Sequence, residues 1–171
     1  AQRSVFENGL VLLTSEQRAL PMVTFILLLK AGSRYDSPGE DGLANLTSRL
    51  LTHGTKKRTA MEISETLDFI GANLSAGCSE ELGTISLTLL KKHLPIGLEL
   101  LAEILTESVF PQEEIERQKQ MVIASIKGKL EDPGEIAQMK FMEALYPRSP
   151  YGRPVEGTEA SVKAIPREDL S

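Results

Sequence analysis

Apolar positions along the chain fall into two rhythms, alternate and helical, and these divide it into elements. Asn8-Gly9 lies between Val5-Phe6 and Leu10-Val11-Leu12-Leu13, a hairpin-turn signal in which glycine supplies the backbone angle a tight turn needs. Val23-Thr24-Phe25-Ile26-Leu27-Leu28-Leu29 is a near-continuous apolar run and predicts a strand buried on both faces. Leu43, Leu46, Leu50 and Leu51 recur at helical spacing, and Gly54 is expected to stop that helix. Thr59-Ala60-Met61-Glu62 is a capping box, opening a helix with Ile63, Leu67 and Ile70 on one face and Gly71 as its stop. Leu74 to Cys78 and Thr84 to Leu90 read as strands. The second alternates Ile85, Leu87 and Leu89 with Ser86 and Thr88, so one of its faces meets a core.

The remainder is mainly helical. Leu94, Leu98, Leu101 and Leu105 predict one apolar stripe, and Ile115, Val122, Ile126 and Leu130 another in a long helix from about Gln112. Asp132-Pro133-Gly134-Glu135 caps a third helix, with proline in its first turn. Strands, helices, strands and helices again predict an α+β fold, with a mostly antiparallel sheet and helices packed on one face. No internal repeat, low-complexity stretch or linker interrupts the pattern, so residues 1–171 are expected to form a single domain.

Composition narrows the function classes. A chain of 171 residues buries about 70% of its unfolded surface. With 41% hydrophobic and 25% charged residues it has the composition of a soluble globular domain. A net charge of −5 argues against a nucleic-acid surface, which would be basic. Lys56-Lys57-Arg58 is the only dense basic cluster and is expected to be a solvated loop. No apolar run reaches membrane-spanning length. The single cysteine, Cys78, excludes an internal disulfide framework and is expected to be a buried, inert thiol.

The candidate chemistry centres on the helix of Leu43 to Leu51. Asn45, Ser48 and Arg49 share the face opposite its leucines, because positions three and four apart stack one above another. This is the frame of an inverted zinc-peptidase helix, His-x-x-Glu-His, which puts two ligands and a general base on one face. Here Asn45 and Arg49 stand at the histidine positions and Ser48 at the glutamate position. Zinc takes neutral imidazole, thiolate or carboxylate ligands, and Arg49 brings a permanent positive charge to that place. His53 and His93 are the only histidines, and Arg49 lies between Asn45 and His53 on the helix face, so no replacement metal site is expected. His53 reads instead as a polar residue near a helix C-terminus. The chain contains no Gly-x-Ser-x-Gly elbow and no phosphate-binding Gly-x-x-x-x-Gly-Lys loop.

The chain resembles the pitrilysin/insulinase-type zinc metallopeptidases, the group that includes the mitochondrial processing peptidase. The resemblance rests on the order of several blocks: Phe6-Glu7-Asn8-Gly9-Leu10; Gly32-Ser33-Arg34-Tyr35-Asp36 leading to Gly42-Leu43-Ala44; Gly54-Thr55; Leu74 to Cys78; Phe110-Pro111; Asp132-Pro133; and Pro150-Tyr151-Gly152-Arg153-Pro154-Val155-Glu156-Gly157-Thr158. It implies a processing-peptidase-like half-domain. The third zinc ligand of such proteins is a glutamate in a segment resembling Val-Val-x-Glu-Glu-Ile. The segment here is Met121-Val122-Ile123-Ala124-Ser125-Ile126, so Ser125 takes the ligand position, and Gln118 takes that of a supporting glutamate two turns earlier. Residues seven apart share a helix face, so both are expected to point at the site. All ligand, base and support positions are replaced together. The resemblance therefore implies a non-catalytic member, with no catalytic residues, no metal and no cofactor.

One element of the resemblance does not depend on the lost side chains, and it reads either as a substrate-pairing strand or as an ordinary sheet edge covered by a partner or by a second half of the protein. In these peptidases an edge strand pairs with the extended substrate through main-chain groups, and its counterpart here is Leu74-Ser75-Ala76-Gly77-Cys78. The expected role is that of an inactive partner, scaffold or substrate-binding half of a clamshell. The expected partner is a zinc-bearing homologous subunit or a second half of the same protein, with an extended peptide as ligand and no nucleic acid. The alternative is a purely structural subunit, like the processing-peptidase-like core proteins of the respiratory chain. The resemblance also implies a polypeptide cut within its first domain, with two more strands to follow. The bacterial periplasm or cell envelope is the expected compartment, and the mitochondrial matrix the alternative.

Overall fold

A computed structural model describes residues 1–170. The chain opens with a hairpin, β1 (Gln2–Val5) antiparallel to β2 (Val11–Thr14), with Val5 opposite Val11. The turn closes through Phe6 N–H to Leu10 O and Gly9 N–H to Phe6 O, both 2.9 Å, with Gly9 at φ 84°. Three further strands, β3 (Met22–Leu29), β4 (Asn73–Cys78) and β5 (Gly83–Leu90), form one antiparallel sheet in the spatial order β3-β5-β4. The helices are α1 (Leu43–Leu50), α2 (Ala60–Ile70), α3 (Leu94–Glu107), α4 (Gln112–Lys129), α5 (Pro133–Leu145) and α6 (Glu159–Ala164). The α+β expectation holds. Among the described residues no helix is long and apolar enough to cross a membrane.

Strand β5 behaves as its alternation requires: Ile85, Leu87 and Leu89 are buried and the residues between them are not. Strand β3 does not match the two-sided burial expected of it. Its Val23, Phe25 and Leu27 are half-buried, while Ile26 and Leu28 are 64% and 58% exposed. The strand is at an edge of a sheet that carries its core on one face only. The pleat therefore sends alternate side chains to solvent whatever their chemistry.

Local signals set most helix ends. Thr59 accepts from Glu62 N–H while the Glu62 carboxylate accepts from Thr59 N–H at 2.8 Å, and Gly71 at φ 61° ends α2. The Asp132 carboxylate accepts from Gly134 N–H at 2.7 Å and starts α5. Helix α1 ends at Leu50, before Gly54. Gly54, at φ 137°, forms a bridge with Thr59 rather than a helix stop.

The core joins Leu46, Leu50, Phe110, Ile115, Ile165 and Leu170, with Ile63, Leu100 and Ile104 beside α3 and Val122, Ile123, Ile126 and Val162 between α4 and α6. Two predicted stripes are corrected by it. Helix α3 turns Gly97, Leu100, Glu103 and Ile104 inward and leaves Leu98 and Leu105 exposed. Gly97 is the cause: a Cβ there would overlap Leu89 Cδ2, so the bare glycine sets the helix against the sheet. In α4 Leu130 is exposed because it is the capping residue past the last turn. The basic loop is also not simply solvated. Arg58 and the Thr55 hydroxyl both bond the carboxylate of Glu103, which is 3% exposed, and Lys57 pairs with Glu107 at 2.9 Å.

Candidate functional site

Helix α1 is held at its N-terminus by Asp36, whose carboxylate accepts from Gly42 N–H at 3.0 Å and Ala44 N–H at 3.1 Å. Burial holds the Asp36 pKa above its ordinary value, against the opposing pull of these two hydrogen bonds. From there α1 packs against both β4 and α4. Asn45 and Ser48 are buried and Arg49 is partly buried, on the shared face that the spacing predicts. Arg49 Nε donates to Asn45 Oδ1 at 3.2 Å, and Ser48 Oγ donates to the Asn45 carbonyl at 2.8 Å.

Gln118 is buried on α4, and its Nε2 donates to His53 Nε2 at 2.9 Å. Thr52 Oγ1 lies 3.3 Å from His53 Nδ1, and the Glu114 carboxylate lies 3.9 Å from Nε2. Burial lowers the His53 pKa against the opposing pull of Glu114. Ser125 is exposed, so the structure brings Gln118 to His53, just past the end of α1, but does not bury Ser125 with it. At the turn of Ser125 the inward side of α4 is Val122, Ile123 and Ile126, packed with Val162.

Strand β4 is paired on one side only. Its residues pair with β5, and among the described residues no other backbone bond is made from 73–78. Immediately afterwards the carbonyls of Ser79 and Glu80 accept from Ser33 N–H and Arg34 N–H, each at 3.0 Å, and close the edge. At Gly77 an added Cβ would meet nothing within 4 Å. Cys78 is half-buried rather than buried. Its pKa is pushed up to about 11, chiefly by burial and then by Asp36, with a hydrogen bond to Asn45 acting the other way. At neutral pH such a thiol stays protonated, which makes it a poor nucleophile.

A cavity of about 420 Å³ opens at the end of β4, bounded by Asn45, Cys78, Glu80, Ile126, Met139 and Val155. The sequence shows α5 as a capped helix and residues 154–157 as part of a family-like block, but nothing in it places either of them at this cavity. The loop is positioned by Arg153, whose guanidinium reaches the Asp41 carboxylate at 2.6 Å and the Asp36 carbonyl at 3.0 Å.

Zinc does not fit the residues at the positions the resemblance assigns to it. The Asn45 amide oxygen already accepts from a guanidinium, Arg49 cannot lose its proton, and Ser125 offers an exposed hydroxyl. Among the described residues no group of three or more His, Cys, Asp or Glu could hold a metal ion.

Comparison with known proteins agrees with the fold. The chain is 31% identical over 165 residues to an uncharacterized zinc protease of Rickettsia bellii, covering 96% of this chain and 40% of that protein. It is 29% identical to the beta subunit of the rat mitochondrial-processing peptidase, covering 99% of this chain and 34% of that subunit. It superposes with a TM-score of 0.94, at 27% identity, on a crystal structure described as a peptidase M16 inactive domain from Pseudomonas fluorescens, covering 99% of this chain and 41% of that one. The chain thus spans 34–41% of the length of these relatives. The family model described as Insulinase (Peptidase family M16) matches residues 11–159, and the chain belongs to that family.

Proposed function

We propose that this chain is a non-catalytic M16 domain that binds an extended peptide, or a partner, beside a zinc-bearing homologue. The observation that carries the reading is the Arg49–Asn45 bond, which fills the motif face of α1 next to a strand whose outer edge is open. A hydrolase needs an activated water and a base. Asn45, Ser48 and Arg49 supply neither. The inactive description of the Pseudomonas fluorescens domain supports the same reading. What the site retains is β-augmentation, in which main-chain groups of β4 take up a peptide strand without a catalytic side chain. The partner is a zinc-bearing homologous subunit or a second half of the same protein.

The test is peptide binding followed by fluorescence anisotropy, with an extended peptide against the same peptide N-methylated along its backbone. N-methylation removes the main-chain donors that β-augmentation uses and leaves the protein untouched. Binding of the parent peptide that the methylated one loses is expected. Equal binding of both, or chelator-sensitive cleavage of the peptide, would overturn the reading.

A second reading, a structural assembly subunit with no peptide to handle, is favoured by the hairpin. Val5, Phe6, Leu10, Val11, Leu12 and Leu13 are all exposed there. Absence of peptide binding, with association of this chain through the hairpin, is the outcome that favours it.

A further inference from the structure

Four arginines are partly buried among the described residues: Arg34, Arg49, Arg58 and Arg153. Three of them pair with a carboxylate, Arg34 with Glu81, Arg58 with Glu103 and Arg153 with Asp41. Arg49 is the exception. Its Nε donates to a neutral amide oxygen, Asn45 Oδ1 at 3.2 Å, and its two terminal nitrogens have no acceptor among the described residues. A guanidinium partly withdrawn from water keeps its full charge and is poorly compensated by one neutral acceptor. Its planar fork matches a carboxylate in two parallel bonds.

The place of Arg49 gives the unmatched charge a direction. It is on the helix that packs on β4, one turn beyond Asn45, which lines the cavity at the end of that strand. The carboxylates of Glu80, Glu135 and Glu156 border the cavity, and among the described residues only Glu156 has an ion-pair partner, Lys129 at 2.8 Å. Arg49 is outside that lining. An anionic group on a ligand is therefore repelled from the cavity and drawn toward Arg49.

We infer that Arg49 is a carboxylate-binding residue, which takes the C-terminal carboxylate or an acidic side chain of a peptide laid on β4. The inference rests on the edge-strand reading above. It turns the position of a lost metal ligand into a fixed cation that anchors one end of an otherwise sequence-tolerant ligand.

The experiment has two arms. In the first, the Arg49 Nε–H resonance of the full chain is followed by NMR during addition of N-acetylvaline or N-acetylvalinamide. A saturable shift with the acid and none with the amide is expected. In the second, anisotropy compares an alternating valine–threonine peptide ending in a free carboxylate with its C-terminal amide, and with an amide carrying one internal aspartate. The free acid should bind roughly tenfold tighter than the amide, the scale of one charge-assisted bidentate contact. Recovery of tight binding by the aspartate peptide assigns the side chain as the source. Arg49→Met should abolish the preference, and Arg49→Lys should keep part of it, as a point charge without the fork. No response at Nε–H, or a preference that persists in Arg49→Met, would overturn the inference. Peptides that bind without preference remove the carboxylate site and leave the edge reading standing. An Nε–H response to N-acetylvaline with no peptide bound removes the edge reading and leaves the carboxylate site.

Discussion

The Gln118 amide nitrogen donates to His53 Nε2 across 2.9 Å, so the imidazole must be neutral at that atom. Burial lowers the His53 pKa from its ordinary 6.5, with Glu114 opposing and Arg117 reinforcing the shift. The unfolded chain therefore takes up this proton first as pH falls. The contribution of His53 is fully present above about pH 6.5 and is lost as pH drops below that value toward the folded one. Urea midpoints measured between about pH 8 and 5 should fall over this window in the wild type. They should fall less in His53→Gln, which cannot charge.

Glu103 is 3% exposed, and its carboxylate is held by Arg58 and the Thr55 hydroxyl. Removing the arginine leaves a buried charge. Arg58→Ala is expected to lower the unfolding free energy by about 2–4 kcal/mol. Arg58→Met combined with Glu103→Leu should recover most of that loss, because both ends of the pair are then apolar. Chemical denaturation of wild type and both variants decides it, and a double variant no better than Arg58→Ala would contradict the account.

Gly42 and Gly157 interlock where the cavity loop meets α1. Gly157 has φ 77°, and a Cβ there would overlap the Asp41 carbonyl; Gly42 has φ 96° and would meet the Glu156 carbonyl at 2.6 Å. Gly157→Ala is expected to destabilise by about 2–4 kcal/mol, since the strain and the backbone clash add. Gly128 provides the contrast, in α4 with nothing within 4 Å of an added Cβ. Gly128→Ala should stabilise by about 0.5–1 kcal/mol. Thermal and urea melts should place the two variants on opposite sides of the wild type.

Chelator-washed protein should carry no stoichiometric zinc by elemental analysis. The fourfold variant Asn45→His, Ser48→Glu, Arg49→His and Ser125→Glu should take up zinc without peptidase turnover. The neutral Gln118 gives the ligands no carboxylate to orient them. Zinc in the washed wild type, or turnover by the variant, would defeat this prediction.

The sequence was most legible where one local interaction decides the outcome. The Thr59–Glu62 box, the Asp132 cap and the alternation through Ile85, Leu87 and Leu89 all depend on neighbours a few residues away. It was least legible where packing decides. Ile26 and Leu28 are as apolar as Leu27, yet face solvent because none of the described residues covers them on that side of the sheet. Leu98 and Leu105 lost the inward face of α3 to Gly97, a residue with no hydrophobicity to count. At the site, the shared face of Asn45, Ser48 and Arg49 followed from helical spacing. The Arg49–Asn45 bond, the His53–Gln118 contact and the cavity wall from the loop at 154–157 depend on side-chain conformations and long-range closure.

The hairpin at the start of the chain has a kinetic consequence. Its strand residues are all exposed, and an isolated two-stranded hairpin is marginally stable in water. Its amides are tied to each other rather than to the core, so opening it breaks nothing in the β3-β5-β4 sheet. In deuterium the backbone protons of Gln2–Val5 and Val11–Thr14 should be replaced through frequent local opening, while those of β5 wait for global unfolding. A partner that packs on Phe6, Leu12 and Leu13 would first be seen as slowed exchange at this end, before any change in the rest of the chain.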